Sequence, residues 1–117
     1  MNITHRPITP KPERAKPDPA YLARVRELPC CICEAWGMRQ NSPTEGHHTK
    51  SGRYGNEKTP DNMAIPLCHS HHNKLRKYPG DEDKIGFHNA QETWEREYGP
   101  DTDWINPTRD KIEGMTT

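Results

Sequence analysis

The apolar residues in the first third of the chain predict one helix and one tight turn. The segment "DPAYLARVREL" at 18–28 carries its apolar residues on one helical face. Asp18 can cap the first turn, Pro19 stands where a missing N–H does no harm, and Pro29 ends the helix. The stretch "CCIC" at 30–33 is expected to form a tight turn, and a polar loop follows it.

Two short strands and two more helices are predicted downstream. Residues 47–51 and 63–67 have the length and the polar flanks of strands. A helix is expected to begin near His69, and a final helix, anchored by aromatic residues, is expected over roughly 83–98. Short helices around one pair of strands indicate a small α+β fold.

The composition divides the chain into three parts. Residues 1–19 contain five prolines interleaved with four basic residues, so we expect a flexible arm that either follows phosphates or is inert. Residues 20–105 form the predicted folded domain, and residues 106–117 form an irregular C-terminal tail. Only 29% of the 117 residues are hydrophobic, so the domain buries too little apolar surface to be comfortably stable without a cross-link.

The cysteines and histidines point to a metal ion as that cross-link. Cys30 and Cys33 have the C-x2-C spacing that lets two thiolates face one tetrahedral ion, and Cys68 and His71 repeat the spacing. The 34 residues between the two pairs suit a treble-clef arrangement, in which a turn near a hairpin is tied to the start of a helix. We therefore predict one structural Zn²⁺ ion bound by these four residues. The alternative is that the cysteines are ordinary buried residues.

Cys31 and His69 are neighbours of this set that we do not expect to bind the zinc ion. Cys31 would form a C-x-C pair with Cys33, and this spacing is less suited than C-x2-C to binding one tetrahedral ion. Cys31 is therefore expected to be a free thiol facing away from the ion. His69 could replace His71, but its adjacency to Cys68 makes simultaneous ligation awkward.

The cysteine usage also bears on the compartment. No signal peptide precedes the cysteines, and no apolar run approaches the roughly 20 residues needed to span a bilayer. We therefore expect a cytoplasmic protein without membrane contact, in which closely spaced cysteines bind metal more often than they form disulfides.

The net charge of zero conceals an asymmetry along the chain. Residues 1–80 contain 13 Lys and Arg against 7 Asp and Glu, whereas residues 81–117 contain 4 against 10. A basic body fits a polyanion-binding surface, although two solvated faces of an ordinary protein would give the same counts. Six basic residues near the predicted hairpin and histidine cluster are candidates for phosphate contacts: Lys50, Arg53, Lys58, Lys74, Arg76 and Lys77.

The remaining histidines carry a family resemblance. The doublet His47-His48 in "EGHHTK", then Asn62, then His72 surround two predicted strands and a helix start. This order and spacing resembles the HNH endonuclease superfamily, whose fold is the ββα-metal motif. Over roughly 28–99, the chain looks most like small phage-encoded HNH nucleases, including those related to the recombination-enhancement (Ref) proteins.

The resemblance implies a metal-dependent endonuclease or nickase that hydrolyses DNA phosphodiester bonds. His48 would be the general base, and Asn62 would hold the loop between the strands and so orient His48. His47 and His72 would bind one catalytic divalent cation, which could be Mg²⁺, Mn²⁺, Ni²⁺ or Zn²⁺. The fold implied is a small zinc-stabilised treble clef that contains the ββα-metal motif and is flanked by helices.

One position departs from the family pattern and keeps a second function open. Many HNH proteins place a last histidine one helical turn after the preceding ligand, and here that position is Arg76. His88 in "IGFHN" is the expected replacement. If His88 does not bind the catalytic cation, water molecules complete the coordination of the cation or the site is defective. The alternative function is then a non-catalytic zinc-stabilised nucleic-acid-binding module. A histidine-rich metal-binding or interaction domain would not explain the position of Asn62.

The resemblance also implies partners. A phage-encoded enzyme would act on DNA in the host-cell cytoplasm, in recombination or DNA processing, with a recombinase or another DNA-processing protein as a candidate partner. No base-reading motif is visible, so little sequence specificity is expected. Duplex, single-stranded and branched DNA remain open, as does RNA.

Overall fold

The computed structural model describes residues 17–51 and 59–115. Most of the predicted arm lies outside these residues, and so do Arg53 and Lys58 of the predicted phosphate-binding set. The last residues assigned to the arm belong to the folded domain, because Asp18 caps the first helix and Pro19 begins it.

The first helix forms as predicted. Helix α1 spans Pro19–Glu27, and the Asp18 carboxylate accepts a hydrogen bond from the backbone N–H of Tyr21 at 3.1 Å. Its buried face shares a small apolar cluster with the last helix, formed by Val25, Leu28 and Ile112. The expected tight turn is a short helix, α2, which spans Cys31–Ala35 with Cys30 at its N-cap.

Two antiparallel strands form the sheet. Strand β1 spans Thr44–His48 and β2 spans Ala64–Cys68, with Thr44 opposite Cys68 and His48 opposite Ala64. The prediction for β2 is one residue out. The prediction for β1 is wrong by three residues. Residues 49–51 leave the sheet because the N–H groups of Lys50 and Ser51 donate to the carboxylate of Asp101 and not to a strand.

Helix α3 spans His69–His72 and begins where the sequence predicted. Helix α4 spans Gln91–Tyr98, so the predicted helix over 83–98 is wrong in its first half. The backbone N–H groups of Phe87 and His88 donate to the carbonyls of His71 and His72, each at 2.9 Å. These bonds hold the segment before α4 alongside α3 and are incompatible with a continuous helix.

The chain after α4 is also helical. A 3-10 turn at Asp101–Trp104 leads into helix α5, which spans Ile105–Met115. The expectation of an irregular tail is therefore wrong for residues 106–115. Ile105, Thr108 and Ile112 recur at helical spacing and are buried, and this repeat supplies the apolar face that α5 packs on the body.

The main core surrounds the cysteines. It joins residues of α2, β2, α4 and α5, and Phe87, Trp94 and Tyr98 pack edge to face with ring centroids 5.1 and 5.2 Å apart. Trp94 also donates its indole N–H to the carbonyl of His71 at 3.1 Å. The protein is a small α+β fold whose core holds α3 in place. Among the residues described, no helix is long and apolar enough to cross a membrane.

Candidate metal centres

Cys30, Cys33, Cys68 and His71 converge in the core. The Nδ1 atom of His71 lies 3.5 Å from the sulfur atoms of Cys30 and Cys33 and 3.3 Å from that of Cys68. The sulfur atoms of Cys33 and Cys68 are 3.8 Å apart. A tetrahedral zinc ion, with Zn–S about 2.3 Å and Zn–N about 2.0 Å, places two sulfurs about 3.8 Å apart and a sulfur and a nitrogen about 3.5 Å apart.

The four residues therefore form a buried site that can hold one metal ion such as zinc. Three elements position them, because Cys30 and Cys33 flank the start of α2, Cys68 ends β2, and His71 lies in α3. The ring of His71 meets the ring of Tyr98 edge-on, with centroids 5.4 Å apart. Cys31 is buried but is not part of the set, as predicted, and burial raises the pKa of its thiol.

A buried lysine lies against this cluster. Three thiolates, one imidazole and Zn²⁺ carry a net charge of −1, which is costly to bury without a compensating group. The ammonium of Lys84 donates to the Cys33 sulfur at 3.4 Å and pairs with Asp81 at 2.7 Å. Burial alone would lower the pKa of Lys84, but Asp81 and the Cys33 sulfur raise it above its usual value. Lys84 is therefore charged and would stabilise a Cys33 thiolate bound to a metal ion.

A second cluster contains only histidines. One nitrogen atom from each of His47, His72 and His88 lies within 4.8 Å of the other two. Pairwise, the ring centroids are 4.9 to 5.3 Å apart. His47 comes from β1 and His72 from α3, and the backbone hydrogen bond between His88 and His72 brings His88 beside them. The structure thus brings together His47 and His72, which the resemblance implied as ligands, and His88, which was expected to replace the ligand missing at Arg76.

His47 is held by a carboxylate that the sequence did not reveal. Its Nε2 donates to the Oδ2 of Asp101 at 2.8 Å, and both side chains are fully buried. Burial is the main reason that the pKa of His47 lies below its ordinary value, and it outweighs the effect of Asp101. A neutral ring with its proton on Nε2 has a lone pair on Nδ1. That atom is buried and has no hydrogen-bond partner within residues 17–51 and 59–115.

Asp101 connects the histidine cluster to the end of β1. Besides His47, it accepts hydrogen bonds from the backbone N–H groups of Lys50 and Ser51 at 2.7 and 2.9 Å. Although burial alone would raise it, the pKa of Asp101 lies below its usual value because these donors stabilise the carboxylate. A single residue thus orients a histidine and turns the chain out of the sheet.

We expect Asp101→Ala to lower the free energy of unfolding of the zinc-loaded protein by roughly 3–5 kcal/mol, because it leaves buried donors without an acceptor. Urea denaturation followed by far-UV circular dichroism measures the change. Asp103→Ala, in the same 3-10 turn but exposed, is the control and should change stability by less than about 0.5 kcal/mol. Equal losses in the two variants would contradict the assigned contacts.

His88, although it is the most exposed of the three histidines, also favours the neutral form. Burial, and then the neighbouring His72 and His47, lower the pKa of His88 to about 4. The Nδ1 of His72 lies 2.8 Å from the Oε1 of Glu45. Metal ligation requires deprotonated imidazole nitrogens, so the cluster is chemically suited to a metal ion.

His48 follows His47 on β1 but is not a member of the three-histidine cluster. Its Nε2 is 2.8 Å from the Oδ1 of Asp61, and its side chain is 20% exposed. The other oxygen of Asp61 accepts the backbone N–H of Asp18 at 2.8 Å, which fixes the carboxylate. A proton on Nε2 leaves Nδ1 of His48 as the basic nitrogen.

The predicted role of Asn62, which is to hold the loop between the strands and so orient His48, stays a prediction, because residues 52–58 of that loop lie outside the described residues. The side chain of Asn62 is exposed, and its backbone carbonyl accepts a hydrogen bond from the guanidinium of Arg109 at 2.9 Å. The preceding residue, Asp61, is the one that contacts His48. Asp61 was missed because the family pattern directs attention to the asparagine.

The basic residues fall into two groups. Lys50, Arg76 and Lys77 are exposed and remain candidates for phosphate contacts. Lys74 is different, because its ammonium donates to the carbonyls of Glu82 and Lys84 at 2.9 and 2.6 Å. Lys74 therefore stabilises the loop after α3, and its predicted contact with phosphate would have to displace these bonds.

Comparisons of the chain with protein-family models, with curated proteins and with solved structures find no match.

Proposed function

We propose that the protein is a metal-dependent HNH-type endonuclease or nickase that hydrolyses DNA phosphodiester bonds. The observation that carries the proposal is the convergence of His47, His72 and His88 beside a separate, carboxylate-paired His48. These residues are far apart in sequence, and a set of unrelated surface histidines would not be expected to meet in this way.

In this proposal β1, β2 and α3 form the ββα-metal motif, and the zinc site joins α2 to the start of α3 as in a treble clef. The structural zinc would then hold the helix that carries His72. His71 and His72 are adjacent, so one short helix would serve both centres. Because the apolar core is sparse, the fold would depend on the zinc ion for part of its stability.

His47, His72 and His88 would hold one divalent cation. Such a cation stabilises charge on the phosphate and on the departing 3′ oxygen. A ligand set of imidazoles favours Zn²⁺ or Ni²⁺ over Mg²⁺ and Mn²⁺, which prefer oxygen ligands. His48 would accept a proton from the attacking water at Nδ1, and the carboxylate of Asp61 would stabilise the imidazolium that results. Lys50, Arg76 and Lys77 would bind neighbouring phosphates.

The biological setting is proposed from the resemblance alone. A role in phage recombination or DNA processing would require a partner, such as a recombinase, to direct a nuclease with little sequence preference of its own.

We expect His48→Ala to lower the rate of plasmid nicking by about 10²- to 10⁴-fold, which is the usual contribution of a general base. The assay uses supercoiled plasmid and, in parallel, single-stranded circular DNA, with Mg²⁺, Mn²⁺, Ni²⁺ or Zn²⁺ added to zinc-loaded protein. Thr93→Ala, at an exposed position of α4, is the control and should cut at the wild-type rate.

Two outcomes would count against the proposal. If His48→Ala cuts as fast as the wild type with every metal, the assignment of the general base is wrong. If the wild type binds DNA but cuts neither substrate, the non-catalytic nucleic-acid-binding module is the better description.

A further inference from the structure

Glu45 lies between His69 and His72, two histidines of α3. No role was assigned to His69 from the sequence. The Oε1 of Glu45 is 2.8 Å from the Nδ1 of His72, and its Oε2 is 3.1 Å from the Nδ1 of His69. Glu45 stands two residues before His47 on β1, so both side chains project from the same face of the strand. One carboxylate therefore connects a metal-binding candidate to His69.

The backbone of Arg76 determines which nitrogen of His69 carries the proton. The N–H of Arg76 donates to the Nε2 of His69 at 2.9 Å, so this nitrogen is an acceptor. In a neutral ring the proton then lies on Nδ1 and is donated to the Oε2 of Glu45. His69 is buried, and its ring packs against Tyr78 with centroids 5.7 Å apart, so the ring is also held mechanically.

The same reasoning applies to His72. A carboxylate oxygen cannot donate, so the Nδ1 of His72 is the donor in its bond to Glu45. The lone pair of a neutral His72 then lies on Nε2, the nitrogen that is left for a metal ion. His47 has the equivalent arrangement with Asp101, with the proton on Nε2 and the lone pair on Nδ1.

We propose that Glu45, itself oriented by His69, is a positioning residue that keeps the proton of His72 on Nδ1 and so keeps Nε2 available to a divalent metal ion. This inference relies on the part of the proposed function in which His47, His72 and His88 bind a divalent cation. It does not rely on DNA cleavage. Carboxylates that orient metal-binding histidines typically change metal affinity by about 10- to 100-fold.

Glu45→Gln is the first test, because glutamine offers one acceptor and one donor where glutamate offers two acceptors. His69 must still donate from Nδ1, since Arg76 occupies its other nitrogen. The amide oxygen therefore faces His69 and the NH₂ group faces His72. His72 then accepts at Nδ1, its proton moves to Nε2, and the metal-binding nitrogen is blocked.

The probe is Co²⁺, added to protein whose Cys₃His site is already filled with zinc. Binding at the three-histidine cluster is followed by the visible absorption of Co²⁺ and by competition with a chelator. We expect Glu45→Gln to weaken Co²⁺ binding by about 10- to 100-fold, with one zinc per chain and an unchanged circular dichroism spectrum.

The double variant Glu45→Gln/His69→Phe separates a directional role from a merely structural one. Phenylalanine preserves the ring beside Tyr78 and removes the donor, so the amide can turn its oxygen to His72. We expect the double variant to recover Co²⁺ affinity to within about 3-fold of the wild type, and His69→Phe alone to lose little. Both Glu45→Gln variants carry the same amide, and the double variant also loses the acceptor of the Arg76 N–H, so a general loss of stability would leave the double variant no better than the single one.

Each outcome supports or overturns a defined claim. Wild-type affinity in Glu45→Gln, or a double variant no better than Glu45→Gln, would overturn the positioning role of Glu45. If the wild type and His72→Ala bind Co²⁺ equally, the three-histidine metal site of the proposed function is itself wrong. Normal Co²⁺ binding by a wild type that cuts no DNA would overturn the nuclease activity and leave the role of Glu45 standing.

Discussion

Cys33→Ala should prevent the protein from folding, whereas Cys31→Ala should leave it folded with one zinc ion. The two variants make the same chemical change at buried positions two residues apart. Only the sulfur of Cys33 belongs to the Cys₃His set, where it lies 3.5 Å from the Nδ1 of His71 and 3.8 Å from the sulfur of Cys68. The variants therefore differ in zinc binding and in little else.

The two variants are expected to differ strongly in stability, because the free energy that a zinc site contributes is as large as the net stability of a domain. A structural zinc site contributes roughly 10–16 kcal/mol, and the net stability of a domain is about 5–15 kcal/mol. Losing one thiolate also leaves Lys84 buried without part of its compensating charge. Cys31→Ala removes only a small packed side chain, which costs about 1 kcal/mol.

Far-UV circular dichroism and the zinc content per chain measure this prediction, before and after the addition of a chelator. The wild type and Cys31→Ala should both unfold when the chelator removes zinc, and both should refold when zinc is restored. If Cys33→Ala is folded and retains one zinc ion per chain like Cys31→Ala, the assignment of the structural site is wrong.

His72→Ala should leave the protein folded and zinc-loaded but lower plasmid nicking by on the order of 10³-fold or more. A metal ion contributes several kcal/mol to the stabilisation of a phosphoryl transition state, and each 1.36 kcal/mol corresponds to a factor of ten in rate. His72 lies at the end of α3 and outside the Cys₃His set, so its removal takes away contacts with His47 and His88 but no ligand of the structural site.

The matched control is His71→Ala, the same substitution at the preceding residue. His71 is buried in the Cys₃His site, and its loss should unfold the protein. Thermal denaturation and zinc content distinguish the two variants before any activity is measured. Equal loss of folding in both would contradict the division into a structural and a catalytic centre, and full activity in His72→Ala would contradict the catalytic role.

The parts of the structure that could be predicted from the sequence depend on local spacing. Helix α1 carries its cap and its stop within one segment, and its prediction is confirmed. The four residues of the Cys₃His set lie in two C-x2-C-like pairs, and each pair is positioned by a single turn, so spacing alone identified the four residues that converge. Cys31 was excluded by the same reasoning.

The parts that could not be predicted depend on contacts between distant segments. Asp101 is separated from His47 by 54 positions, and nothing near it in the sequence marks it as a partner. Because Asp101 binds the N–H groups of Lys50 and Ser51, it also shortened β1 at the end where the sequence extended it. The misplaced end of β1 and the unrecognised carboxylate partner of His47 therefore have the same physical cause, which is the set of contacts made by Asp101.

The position of Glu45 relative to His47 follows from the strand period once the bounds of β1 are known. With β1 placed at Thr44–His48, the two-residue period of a strand puts Glu45 on the same face as His47. The predicted strand began only at residue 47, so Glu45 was assigned to a loop. The hydrogen bond between Arg76 and His69, which gives Glu45 its direction, is a tertiary contact that no periodicity contains.

The most direct test of the proposed function is to measure the nicking rate while Ni²⁺ or Mn²⁺ is titrated into protein that holds only its structural zinc. We predict no nicking with the structural zinc alone. The rate should rise in proportion to occupancy of the three-histidine cluster and level off at one added ion per chain. Nicking that is already complete before the second ion binds, or that stays absent when the cluster is saturated, would contradict a hydrolytic metal site formed by His47, His72 and His88.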